Sequence, residues 1–159
     1  MGQCTPDVTS LVRHFVSSSR TEIAKVADAF AQGKADAANA FLRSIGSNRD
    51  VGLIANVFGT SAAGRNAFFS TVNASVGPAI KNSDALQVVF GALVTTAGGM
   101  VYAQAGAAAV AAAGAGPLLV VIGIILIVVG IAMVGVALNR IANSLLAFIK
   151  GQMSAATAR

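Results

Sequence analysis

The strongest constraint on this chain is a run of 55 residues, Ala85 to Asn139, in which no position carries a charge. A helix on a solvated surface keeps charged and polar side chains on its outer face, so most of this run has to be hidden from water. Its second half, Leu118 to Leu138, reads LLVVIGIILIVVGIAMVGVAL. As helix, these 21 residues rise about 31 Å, which matches a bilayer hydrocarbon core of roughly 30 Å. The segment therefore reads as a transmembrane helix. The competing reading is the central helix of a soluble bundle, which has to be covered on every side with only about 100 other residues to do it.

The first half of the run is less apolar. Leu86 to Ala97 is hydrophobic, but Gly98 to Gly116 is almost all Ala and Gly, with Tyr102 and Gln104 inside it. Ala and Gly contribute little transfer free energy, so this segment enters a bilayer only when paired with the Leu/Ile/Val helix. Gly114-Ala115-Gly116-Pro117 supplies a reversal, with Pro placed to open the next helix. The expectation is an all-α chain in three parts. Residues 1–84 form short amphipathic helices. Residues 85–139 form a transmembrane helical hairpin, with a first span at 85–113, a turn at 114–117 and a second span at 118–138. Residues 140–159 form a basic helical extension and tail.

Charge is distributed to match. All six acidic residues and eight of the eleven basic ones precede Ala85; Arg140, Lys150 and Arg159 carry the rest. Lys81 before the hairpin and Arg140 and Lys150 after it set a topology with both ends cytosolic. The net charge of +5 also raises nucleic acid as a partner. That is the weaker reading, because no segment clusters Lys and Arg, and the absence of Trp leaves little to stack on bases.

The N-terminal part reads as successive short helices. Thr5-Pro6-Asp7 has the makings of a helix start, with Thr5 as the cap. Val8, Leu11, Val12, Phe15, Ile23, Val26 and Phe30 then recur at helical spacing as far as Gln32, weakened at Ser17-Ser18-Ser19. Further helices are expected at 35–45, from Asp50 to Gly59, and from Thr60 or Ser61 to Gly77-Pro78.

Candidate functional residues fall into three groups. Gly123, Gly130 and Ala137 stand seven apart in the second span, and Gly99, Ala103, Ala107 and Ala111 four apart in the first. Small residues at these spacings let membrane helices approach closely. Gly2 and Cys4 invite myristoylation and palmitoylation, although the motif wants Ser or Thr where Pro6 stands. Lys81, Arg140 and Lys150 are the topology-setting cations. His14, the single histidine, has no Cys, Asp or Glu at ligand spacing. The Gly-rich GAGAGP lacks the preceding strand and following Lys of a phosphate loop. No catalytic, metal or cofactor site is indicated. One Cys excludes an intrachain disulfide, and no secretory signal follows Met1.

Two functions fit. In the first, the protein is a structural or assembly component of a membrane complex or lipid-containing virus particle, anchored by the hairpin and contacting partners through its N-terminal helices. In the second, it forms pores or perturbs membranes, oligomerising through the hairpin. This second reading has a fold-level analogy in toxins that hide an apolar hairpin among amphipathic helices.

Overall fold

The computed structural model describes residues 7–104, 116–135 and 138–157, with side-chain surroundings for 7–98, 118–135 and 138–155. These residues form eight α-helices and no strand: α1 Val8–Ser18, α2 Arg20–Ala31, α3 Asp36–Ile45, α4 Arg49–Thr60, α5 Ala62–Ile80, α6 Asp84–Gln104, α7 Gly116–Val134 and α8 Leu138–Thr157.

Local sequence explains most of the boundaries. Asp7 caps α1 by accepting from the Thr9 amide at 3.1 Å, so the cap falls two residues after the expected Thr5. The amphipathic stretch as far as Gln32 is two helices, divided at Ser19 with φ −104° and ψ 13°. The serine triplet is where helix propensity is weakest. Gly33, at φ +76°, turns the chain out of α2, a conformation glycine adopts without a Cβ penalty. The Asn48 side chain accepts from the Val51 amide at 3.1 Å to start α4, and the Ser61 hydroxyl accepts from the Gly64 amide at 2.9 Å to start α5. α5 continues past Gly77-Pro78 to Ile80; only its last turn lies beyond the proline, so the lost hydrogen bond costs little there.

α7 lies at the centre. Every other described helix packs against it, and Leu118, Val121, Ile122, Ile124 to Val129 and Ile131 are at most 1% exposed. The surrounding helices each turn one stripe inward. These stripes include Val12, Phe15 and Val16 of α1, Ile23, Val26 and Phe30 of α2, and Ile54 and Phe58 of α4. Phe68, Val72 and Val76 of α5, Leu86, Val89 and Leu93 of α6, and Ile141, Leu145 and Phe148 of α8 complete the wall. Spacing of three and four places such residues on one helix face.

This arrangement bears on two expectations. The bundle whose central helix the sequence made look uncoverable is the one observed: many short helices, each contributing a single stripe, enclose α7. The run Leu118 to Leu138 is also not one helix. α7 ends at Val134, Gly135 stands at φ +93°, and Leu138 begins α8 as a buried core residue. No helix among the described residues is long and apolar enough to cross a membrane. This architecture does not support the hairpin as a transmembrane unit, although α6 and α7 do pack against each other.

Close packing at α7 sets up a contrast between glycines. A Cβ on Gly130 would stand 2.6 Å from Ile23 Cδ1, whereas one on Gly52 meets nothing within 4 Å. Gly130→Ala should therefore destabilise by about 1–3 kcal/mol through overpacking. Gly52→Ala, in an open helical position, should stabilise by roughly 0.5–1 kcal/mol. Urea unfolding followed by circular dichroism measures both, and equal effects at the two sites would contradict the packing described.

Candidate functional site: the sheltered helix

The residues singled out in the sequence part company in the structure. Gly123 and Gly130 do line one side of α7, and both face N-terminal helices. A Cβ on Gly123 would lie 3.1 Å from Leu42 Cδ2 and Ile45 Cδ1 of α3, and one on Gly130 would press on Ile23 of α2. The notches receive aliphatic side chains, so here they serve packing within the chain. Gly99 and Ala103 fall within the described backbone of α6. Ala107, Ala111, Ala137, Gly2 and Cys4 lie outside the described residues. Lys81 is exposed where α5 ends, and Arg140 and Lys150 are exposed on α8.

One contact was invisible in the sequence. His14 Nδ1 lies 2.5 Å from Asp50 Oδ2, with the histidine side chain 70% and the aspartate 13% exposed. The pair joins α1 to the first turn of α4. Asp50, the expected start of this helix, is thus a partner of His14, and Asn48 caps the helix in its place. The imidazole stands in open water, so the pair fastens two helices and offers no enclosed place for proton transfer. Among the described residues no group of three or more His, Cys, Asp or Glu side chains could hold a metal ion.

Other polar links between helices are few. Thr9 and Thr71 share a hydrogen bond of 2.8 Å between α1 and α5. Thr71, 8% exposed, also donates to the Ala67 carbonyl. Gln152 Nε2 donates to Asn39 Oδ1 at 2.9 Å, tying α8 to α3. Around α7 itself the contacts are apolar. The wall includes a cluster of Phe58, Phe68 and Phe69 with ring centroids 5.2–5.6 Å apart, in the edge-to-face arrangement aromatic rings favour. The structure thus stores an uncharged helix inside a sleeve of amphipathic ones, with mainly non-directional forces between core and sleeve.

No protein-family model, curated protein or solved structure matches this chain. Its function has to be argued from this geometry.

For the His14–Asp50 pair, whose imidazole is open to water, the expected energetic role is small. A double-mutant cycle on His14→Ala and Asp50→Ala should give a coupling of at most about 1 kcal/mol, falling as salt is added. A larger, salt-insensitive coupling would mark the pair as more than a surface fastening.

Proposed function

We propose that the protein is membrane-active and that the bundle is its closed state, sheltering α7 until a bilayer takes over its burial. The observation that carries this reading is the burial of the middle of an uncharged helix, Val121 to Ile131, by amphipathic helices. Burying a Val, Leu or Ile side chain contributes about 1.5–3 kcal/mol whether the surroundings are protein or hydrocarbon, because lipid tails are as apolar as leucine. Transfer of α7 from sleeve to bilayer therefore sacrifices little of its own burial. The helices left behind would each carry an unpartnered apolar stripe, the feature that lets a helix lie in a membrane interface.

α7 does not enter alone on this reading. The uncharged run includes α6, which already packs against α7, so the pair is the candidate inserting unit. The constitutive anchor with partner-binding N-terminal helices has less support. It requires the apolar faces of α1, α2 and α4 to be free for other proteins, and those faces are spent on the core.

A reversible lock tests the proposal. Ile23 Cγ1 and Cγ2 both lie 3.2 Å from the position of a Cβ on Gly130, which places the two β carbons within disulfide reach. In a Cys4→Ser, Ile23→Cys, Gly130→Cys variant, oxidation would staple α7 to α2. The expected result is dye release from anionic vesicles by the wild type and the reduced variant, and loss of release in the oxidised variant. Equal release from oxidised and reduced protein, or none from the wild type, would refute the reading.

A further inference from the structure

The outer surface over α6 and α8 differs from the rest of the bundle. On α6 Ala85, Val88, Gly91 and Thr95 face out at helical spacing and carry no charge, beyond Asp84 and Gln87 exposed in the first turn, and Val88 is 73% exposed. α8 packs beside α6 and presents Arg140, Asn143, Ala147, Lys150 and Gly151 to solvent. Lys81, at the end of α5, stands just before α6. The chain has no acid beyond Asp84, the first residue of α6. At the far border, Asp28 of α2 shares a groove with Arg140, while Lys34 shares the next one with Asn143 and Ala147. That border adds no net charge. The side as a whole is an uncharged strip whose edge, net positive, carries Lys81, Arg140, Lys150 and Lys34 against Asp84 and Asp28.

We infer that the α6–α8 side is the docking surface for an anionic bilayer, the face on which the closed bundle first meets the membrane. An exposed strip of small side chains bordered by Lys and Arg matches a lipid surface in two ways. The cations meet the negative potential of the headgroups, and Val88 and its neighbours meet the interfacial apolar zone. Opposite charge is what a nucleic acid would require as well, but the described residues of the strip offer it no aromatic ring to stack on, and the strip is apolar at Val88. Docking this way places α6, the outer member of the pair proposed to insert, against the lipid with α7 directly behind it. The inference rests on the membrane-active reading for the insertion step after docking; the docking step is separable from it by experiment.

Cosedimentation of the full chain with vesicles of phosphatidylcholine alone, or with phosphatidylglycerol added, is the test. Wild type should bind the anionic vesicles and leave the neutral ones. Arg140→Gln with Lys150→Gln should weaken binding by about five-fold for each charge removed. Val88→Asp, at an exposed site, should weaken it too while far-UV circular dichroism stays unchanged. Arg13→Gln with Arg49→Gln removes the same charge from α1 and α4, on another side of the bundle, and should leave binding close to wild type. The oxidised Cys4→Ser, Ile23→Cys, Gly130→Cys variant should bind as wild type does. Binding by that variant without any dye release from the wild type would sustain the docking surface and refute the membrane-active reading. Equal losses from the two charge pairs, equal binding to neutral vesicles, or a Val88-dependent dimer without lipid would overturn the docking surface.

Discussion

Everything in this bundle depends on the burial of one helix. α7 has no charged residue and no strongly polar side chain, so most of its surface has to be kept from water; only its ends, Met133 at 38% exposure most of all, reach solvent. Each other described helix meets it with a single apolar stripe, and the loops, caps and breaks of the N-terminal half hold those stripes to a common axis. The serine at residue 19 and the positive φ of Gly33 serve that end. They cut a long amphipathic stretch into pieces short enough to wrap around a core helix. The notches at Gly123 and Gly130 let Leu42, Ile45 and Ile23 sit deeper against it.

A core of this kind has an unusual energetic character. Hydrophobic burial is non-directional, so it rewards any surroundings that exclude water. Directional links between helices among the described residues include the Thr9–Thr71 and Gln152–Asn39 hydrogen bonds, the donation from Arg65 Nη1 of α5 to the Phe58 carbonyl of α4 at 2.9 Å, and the His14–Asp50 pair. They connect sleeve helices to one another and leave α7 unpinned by any polar partner. The sleeve can therefore be exchanged for another apolar medium without breaking hydrogen bonds to α7. That property belongs to the physical chemistry of the core, and it is why the membrane-active reading carries weight without any similar protein to lean on.

Much of the fold was legible in the sequence because it is written in local signals. The all-helical class, the helix over 36–45 and the start at Ser61 follow from caps, glycines and apolar spacing, whereas the serine triplet read as a weakening is a full break at Ser19 and the start expected at Asp50 is capped by Asn48. The site was legible only in part. The apolar pattern of 118–134 is the same for a helix surrounded by lipid and one surrounded by protein, and periodicity cannot tell which solvent the chain provides for itself. Counting about 100 remaining residues against the surface of a central helix underrated what short helices achieve when each contributes only one face. The His14–Asp50 contact spans 36 residues of sequence, and no spacing rule reaches that far. The partners of Gly123 and Gly130 were equally hidden, since a notch records that something approaches closely and not what it is.

Gly135 has a consequence for length. Helical residues on either side of it, from Gly116 to Thr157, would make a continuous rod of about 60 Å at 1.5 Å per residue, twice the thickness of a hydrocarbon core. A φ of +93° at one exposed glycine divides that rod into an apolar piece that stays inside and an amphipathic piece that lies against it. A side chain at this position would bias the backbone toward negative φ, and hence toward the undivided rod. The backbone handedness of Gly135 is thus one of the features that keep the two helical pieces from running on as a single rod.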